Sequence, residues 1–141
     1  MNDISGLEKQ YKALDWKAPM NNEEAINASC LLTFPYDYAE NPAEVVIDTD
    51  EFTAVCPWTG LPDQGTLIVK YVPGDSVIEL KSLKYYLFSF RDVGIVQEHA
   101  TSRILNDLVD LCKPRSMTVS LDYNIRGGLH TAVKADYSQE S

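Results

Sequence analysis

The sequence predicts an α+β domain in which an antiparallel sheet is covered on one face by a pair of helices. Three observations indicate this class. Apolar and polar residues alternate along residues 64–72 and again near the end of the chain, as in half-buried strands. Between these strands, from Leu80, apolar residues recur at steps of three and four, as in amphipathic helices. The resulting order, ββααββ, is typical of an α+β fold.

The first 26 residues are expected to form an accessory arm, and residues 27–141 a single domain. Apolar residues at helical spacing predict a helix over residues 4–17, before Pro19. Two strands are predicted next, over residues 27–34 and 44–49. The second of these is rich in β-branched residues, which favour strands.

The later elements have clearer patterns. They are strands over residues 64–72, 117–124 and 129–137, and helices over residues 80–90 and from about Gln97 to the stop at Pro114. Pro73-Gly74-Asp75 predicts a turn after the first of these strands. The Gly127-Gly128 pair lies at hairpin distance between the last two strands. Such a sheet has open edges, so we expect the chain to form homo-oligomers.

Composition limits the kind of partner. A chain of 141 residues can bury one core, and it contains no run of 18 apolar residues that would predict a membrane span. Its start lacks the pattern of a signal peptide, so we expect a cytoplasmic protein. The net charge of −9 disfavours direct binding of nucleic acid and favours a small-molecule ligand.

The three cysteines form no short metal-binding or disulfide pattern, and no metal site is predicted. Cys112 continues an apolar helical stripe and is assigned to the core. Cys56 differs, because it opens the loop Cys56-Pro57-Trp58-Thr59-Gly60-Leu61-Pro62-Asp63, whose prolines and glycine restrict the backbone. A thiol and a carboxylate at the two ends of such a loop are a candidate nucleophile and proton donor. The alternative is that Cys56 is a buried small hydrophobic residue, as most lone cysteines are.

A second motif is Glu79-Leu80-Lys81-Ser82-Leu83-Lys84-Tyr85-Tyr86, which begins a helix with an acid and places two lysines three residues apart. By themselves, the lysines are as well explained by a solvated helix face. Together with the Cys56 loop and Arg126-Gly127-Gly128, however, this segment resembles the NADPH-dependent 7-cyano-7-deazaguanine reductases (the QueF family), the nitrile reductases of queuosine biosynthesis. The similarity extends from about residue 48 to about residue 131, with the order and spacing of the motifs kept.

The resemblance implies the tunnelling fold, whose copies close into rings. For a chain of this length it implies rings of five, stacked in pairs, with active sites between subunits. It also implies NADPH as cofactor and a reaction in which Cys56 adds to the nitrile to form a thioimide. Asp63 would accept the thiol proton and protonate the nitrile nitrogen, and the product would be 7-aminomethyl-7-deazaguanine.

The resemblance assigns two further groups of residues. Those matching the wall of the substrate pocket are Ile78, Glu79, Leu80, Gln97 and Glu98, the two acids accepting hydrogen bonds from the base. Those matching contacts to NADPH are Lys81, Lys84, Arg126 and Gly127. The chain has no G-x-G-x-x-G segment, so no Rossmann site is predicted.

One position departs from the family pattern, which has His-Glu where this chain has Gln97-Glu98. His99 lies one residue later, and one residue on a helix turns a side chain by about 100°. We therefore interpret His99 as a surface or interface residue. Three alternatives remain at this point: an amidino-transfer enzyme acting on a nitrile-bearing tRNA base, an enzyme like GTP cyclohydrolase, and a non-catalytic ring protein that binds a deazapurine.

Overall fold

The structure, a computed structural model, describes residues 4–14 and 18–139. The helices are α1 (Ile4–Ala13), α2 (Leu80–Phe88) and α3 (Gln97–Cys112). The strands are β1 (Thr33–Pro35), β2 (Val45–Val55), β3 (Pro62–Val72), β4 (Ser76–Ile78), β5 (Ser116–Tyr123) and β6 (Ala132–Ser138). None of the helices described is long and apolar enough to cross a membrane.

Four strands form one antiparallel sheet in the order β2-β3-β5-β6, and β1 pairs with β4 in a small second sheet. The central strand β3 pairs with β5 in a register that sets Gly65 opposite Tyr123 and Val69 opposite Val119. Alternate residues of β3, from Asp63 through Gly65 to Tyr71, are buried, because successive side chains of a strand point to opposite faces. Within this sheet, β2 and β6 are the edge strands.

The core lies between one face of the sheet and the helices. Helix α3 contributes the buried stripe Ala100, Thr101, Ile104, Leu105, Leu108 and Cys112. The apolar side chains of this stripe pack with the buried apolar residues of β3 and β5 in one cluster. Burying each large apolar side chain stabilises the fold by about 1.5–3 kcal/mol. Cys112 is only 2% exposed, which confirms its assignment to the core.

The sequence located the last hairpin and α3 correctly. Arg126 donates its backbone N–H to the carbonyl of Leu129 at 3.0 Å, which leaves Gly127 and Gly128 as the two turn residues. Their φ angles are 56° and 78°, as a two-residue hairpin turn of this kind requires. Helix α3 begins at Gln97 and ends before Pro114, as predicted.

The prediction of a strand over residues 27–34 is mostly wrong. Residues Ala28–Cys30 form a short 3-10 helix, and only Thr33 and Phe34 of the predicted range are extended in β1. The cause is local, because the Asn27 side chain accepts hydrogen bonds from the Cys30 N–H and the Ser29 hydroxyl. Asparagine side chains compete in this way with strand pairing.

Other boundaries also differ from the sequence prediction. Strand β2 runs to Val55 rather than ending at residue 49, and β3 begins at Pro62, so Asp63 lies on a strand. Helix α2 ends at Phe88, two residues early. Helix α1 confirms the predicted helix as far as Ala13, whereas residues 15–17 of that prediction lie outside the described residues. The accessory role of residues 1–26 stays a prediction.

Candidate active site

Cys56 opens a six-residue loop, residues 56–61, between two strands. The last pair of the β2–β3 ladder is Val55 with Pro62, directly beneath the loop. The Cys56 N–H donates to the Leu61 carbonyl at 2.9 Å, and the Gly60 N–H donates to the Cys56 carbonyl at 2.7 Å. Gly60 has a φ of 73°, and a Cβ there would lie 2.6 Å from the Ala18 carbonyl oxygen. The backbone around Cys56 is therefore closely defined.

The loop favours the ionised form of the Cys56 thiol. Burial alone would raise the pKa of Cys56, and so would the nearby Asp63 carboxylate. Hydrogen bonds to sulfur from the Thr59 hydroxyl and from the N–H groups of Trp58 and Thr59 outweigh both effects, so the pKa of Cys56 is lowered. A half-buried thiol with a lowered pKa is the microenvironment of a reactive cysteine, which argues against the reading of Cys56 as an inert core residue.

Asp63 is the buried acid of the site. It lies on β3 opposite Ala54 and is 3% exposed. Its Oδ1 atom forms an ion pair with the guanidinium of Arg126, although the contact lacks the geometry of a hydrogen bond. Burial raises the pKa of the Asp63 carboxyl above its ordinary value, and the Arg126 charge offsets part of that rise. Asp63 can therefore hold a proton more readily than an exposed aspartate.

The start of α3 is tied to the Cys56 loop through the main chain. Val55 donates its N–H to the Val93 carbonyl at 3.0 Å and accepts the Ile95 N–H at 3.2 Å. Two residues after Ile95, α3 begins with Gln97, which is half-buried, followed by the exposed Glu98. These main-chain hydrogen bonds fix the start of α3 relative to the Cys56 thiol.

His99, the third residue of α3, is exposed, as expected for a surface residue. The hydrogen bonds and ion pairs of the described residues do not connect it with Cys56 or Asp63.

Residues 18–21 brace the site from outside. Ala18 donates its N–H to the Thr59 carbonyl at 3.0 Å, and Asn21 exchanges main-chain hydrogen bonds with Asp92 and Gly94 at 2.7 and 2.8 Å. This segment therefore joins the Cys56 loop to the approach to α3.

The other predicted residues form a separate group where β4 meets α2. The Glu79 carboxylate caps α2 by accepting the Ser82 N–H at 3.0 Å, and Ile78 donates its N–H to the Tyr71 hydroxyl at 3.0 Å. Leu80, Lys81 and Lys84 follow on the exposed side of α2. Within the described residues, no hydrogen bond or ion pair connects this group with Cys56 or Asp63.

A cavity of about 580 Å³ lies between β2 and α2 and is lined in part by Phe52, Leu80, Lys84 and Phe88. A second, of about 620 Å³, lies near Gly74 and Arg115. Both are lined by residues other than Cys56 and Asp63. One chain thus brings together Cys56, Asp63, Arg126 and the adjoining Gly127, and holds the α2 group apart from them.

Two contributors to the site had no role in the sequence interpretation. The Thr59 hydroxyl helps to lower the pKa of Cys56, and no sequence signal distinguishes it from any loop threonine. Tyr123 entered the sequence interpretation only as part of the strand predicted over residues 117–124. Its phenol is 2% exposed and has Asp63, Glu98 and Arg126 as electrostatic neighbours. The sequence signal for Tyr123 was a tyrosine in line with the apolar residues of a strand, because a buried hydroxyl normally needs a hydrogen-bond partner.

Comparison with known proteins identifies the family to which the chain is similar. A family model described as QueF-like protein matches residues 62–141. The NADPH-dependent 7-cyano-7-deazaguanine reductase of Caldicellulosiruptor bescii is 50% identical over 116 residues, which cover 82% of this chain and 88% of the relative. The reductase of the same name from Chlorobaculum tepidum is 49% identical over 114 residues, which cover 81% of this chain and 97% of the relative.

A solved structure, the archaeosine synthase QueF-Like in the apo form, superposes with a TM-score of 0.65 at 22% identity, over 72% of this chain and 99% of that chain. At that identity it supports the fold alone, and it confirms the predicted α+β tunnelling fold. The family expected from the three motifs is also confirmed. With half of its residues identical over most of both chains, this protein belongs to the QueF-like family, alongside the NADPH-dependent 7-cyano-7-deazaguanine reductases.

Proposed function

We propose that this protein reduces the nitrile of 7-cyano-7-deazaguanine to 7-aminomethyl-7-deazaguanine, with NADPH, in queuosine biosynthesis. The observation that carries the proposal is a thiol of lowered pKa, Cys56, electrostatically coupled to a buried acid of raised pKa, Asp63. The activity named for the relatives from Caldicellulosiruptor bescii and Chlorobaculum tepidum supports it.

The coupled pair accounts for the covalent step. The Cys56 thiol passes its proton to Asp63, and the thiolate attacks the nitrile carbon. A carbon–sulfur bond forms while one π bond of the nitrile breaks, and its electron pair moves to nitrogen. Asp63 returns the proton to that nitrogen, which leaves a neutral thioimide on Cys56. Because burial raises the pKa of Asp63, its carboxyl is suited to holding the proton between the two transfers.

Two carboxylates suit the donor-rich edge of a guanine-like base. Glu98 is exposed at the start of α3, on the same frame as Cys56. Glu79 caps α2, yet an ionised carboxylate has acceptor sites to spare for N–H groups of a ligand. Ile78, Leu80 and Gln97 complete the proposed pocket wall.

The cations fit a phosphate-bearing cofactor. Lys81 and Lys84 are exposed on α2, and neither forms an ion pair with another described residue. We assign them to NADPH phosphates, with Arg126 and Gly127 contributing from the hairpin turn. Because Arg126 also pairs with Asp63, it would link the cofactor site to the acid. Bound NADPH would supply the hydrides that reduce the thioimide and then the imine.

Assembly would unite the two groups of residues. The sheet edges β2 and β6 pair with no further strand of the described chain, and edges of this kind favour association. We propose a homo-oligomer of five-membered rings stacked in pairs, in which the α2 group of one subunit meets the Cys56 loop of the next. The protein would act in the cytoplasm on the free base, without binding nucleic acid directly.

The test is to mix the protein with 7-cyano-7-deazaguanine and NADPH and follow absorbance of the reduced nicotinamide. Two NADPH oxidised per nitrile, with no oxidation by Cys56→Ala, is the expected result. Cys30→Ala is the matched control, because Cys30 is half-buried but bonds to Asn27 and Ser82. A covalent adduct on Cys56 without any NADPH oxidation would contradict the proposal and indicate amidino transfer or simple binding instead.

A further inference from the structure

Two buried side-chain atoms among residues 4–14 and 18–139 lack a hydrogen-bond partner, and they belong to the same site. They are Oδ1 of Asp63 and the hydroxyl oxygen of Tyr123. Burying a polar group without a partner is unfavourable, so such groups are rare in folded proteins. The Asp63 atom at least faces the Arg126 guanidinium. The Tyr123 hydroxyl has no equivalent compensation among the residues that the structure describes.

The sheet explains why the two groups are neighbours. Tyr123 ends β5 directly opposite Gly65, and Asp63 lies two residues before Gly65 on the same strand. All three are buried on the helix-covered face. Diagonal neighbours across a strand pair are about 7 Å apart, within reach of an aromatic side chain. At Gly65 the two strands approach closely, because a Cβ there would lie 2.5 Å from the Asp122 carbonyl oxygen and 2.8 Å from the Tyr123 Cα.

The hydroxyl also lies near the start of α3. Its electrostatic neighbours are the carboxylates of Asp63 and Glu98 and the Arg126 guanidinium. It forms a hydrogen bond with none of them. Burial and the two carboxylates raise the pKa of the Tyr123 phenol, so it stays protonated at any pH at which the protein would work. Tyr123 therefore presents a neutral donor that lacks an acceptor.

We propose that the Tyr123 hydroxyl donates a hydrogen bond to the 6-oxo oxygen of the bound deazapurine, and so helps to select that substrate. The inference rests on the proposed function. Around the rim of this base, the 6-oxo group lies between the nitrile and the ring N–H. In the proposed function, Asp63 protonates the nitrile nitrogen, and Glu98 accepts hydrogen bonds from the N–H edge of the base. A donor with Asp63 and Glu98 as its neighbours therefore faces the oxygen between those two groups.

The test compares Tyr123→Phe with its parent in a Cys56→Ala background, where binding is non-covalent. The probes are 7-cyano-7-deazaguanine and its analogue with hydrogen in place of the 6-oxo group, and calorimetry measures each Kd. Losing one neutral hydrogen bond should weaken binding of the oxo compound about tenfold. Binding of the analogue should not change. The four Kd values, for two proteins with two compounds, then give the coupling between the Tyr123 hydroxyl and the 6-oxo oxygen.

Tyr86→Phe is the matched control, because Tyr86 is equally buried but donates its hydroxyl to Asp107 at 2.6 Å. Tyr86→Phe should lower the unfolding temperature and leave the preference for the oxo compound intact. Tyr123→Phe should do the opposite, since the hydroxyl that it removes has no hydrogen-bond partner among the described residues.

Equal Kd values with and without Tyr123→Phe, or equal losses for both compounds, would overturn this inference alone. A drop in unfolding temperature as large as that of Tyr86→Phe would do so as well, since it would reveal a structural partner. If the Cys56→Ala parent binds neither compound and the wild-type protein oxidises no NADPH, the proposed function fails, and this inference fails with it.

Discussion

Replacing Thr59 by valine should make the Cys56 thiol less acidic and less reactive near neutral pH. The Thr59 hydroxyl accepts the Leu61 N–H at 3.1 Å and so can donate its own proton to the sulfur. Of the hydrogen bonds that lower the pKa of Cys56, this one has the largest effect. Valine has nearly the same shape and cannot donate.

The size of the effect follows from the charge of the acceptor. A hydrogen bond to a charged group contributes about 1.5–3 kcal/mol, and the exposure of Thr59 reduces this to about 1 kcal/mol. Because one pKa unit corresponds to about 1.4 kcal/mol, the thiolate fraction below the pKa should fall about fivefold. The whole curve of reactivity against pH should move to higher pH, because the ionised form has lost a donor.

The assay is alkylation of Cys56 by iodoacetamide at a series of pH values, followed by mass spectrometry of the peptide that contains it. Peptide analysis separates Cys56 from the half-buried Cys30. Thr59→Ser keeps the hydroxyl and should retain the wild-type curve. A Thr59→Val protein that alkylates like wild type would refute the reasoning, as would a Thr59→Ser protein that behaves like Thr59→Val.

Three further predictions concern the Cys56 site and the proposed cofactor contacts. Arg126→Leu should lower the free energy of unfolding, measured in urea, by about 1 kcal/mol at pH 8, and by progressively less as pH falls through the raised pKa of Asp63. The effect is small because Arg126 is 46% exposed. The sign follows from the charge state of Asp63. Above its raised pKa the buried carboxylate is ionised and the Arg126 charge offsets the cost of burying it, whereas below that pKa the carboxyl is neutral and Arg126 has no charge to pair with. Gly60→Ala should lower the free energy of unfolding by about 1–2 kcal/mol and also lower kcat, because φ at Gly60 is 73° and the Ala18 carbonyl oxygen would lie 2.6 Å from the new Cβ. A variant with the wild-type free energy of unfolding and kcat would contradict this. Lys84→Ala should raise KM for NADPH about fivefold and leave KM for the base unchanged. Lys70→Ala, at another exposed lysine, should change neither constant. Equal effects of the two variants would show that Lys84 does not contact the cofactor.

Sequence patterns located those elements whose period is long and regular. Helix α3 was placed closely because its apolar residues recur at helical spacing over several turns and Pro114 follows its end at Cys112. The Gly127-Gly128 turn was equally clear, since few other sequences adopt two successive positive φ angles. The start of β1 was missed because the single side chain of Asn27 redirects three residues, an effect that no periodicity reveals.

The candidate site also contains residues that a local sequence motif identifies and contacts that only the fold creates. Cys56 and Asp63 are seven residues apart in one loop and strand, so a local motif could identify both. The pairing of Asp63 with Arg126 joins residues far apart in sequence and depends on how β3, β5 and the last hairpin are arranged. The unpartnered state of the Tyr123 hydroxyl is a property of packing, and only coordinates can reveal it.

The main-chain bonds of Val55 with Val93 and Ile95 have a consequence for divergence. They use amide groups alone, so the span between the sulfur and the first turn of α3 does not depend on which side chains occupy these positions. Mutations can therefore reshape the pocket wall while that span is conserved. A new ligand preference could arise on this frame without rebuilding the nucleophile.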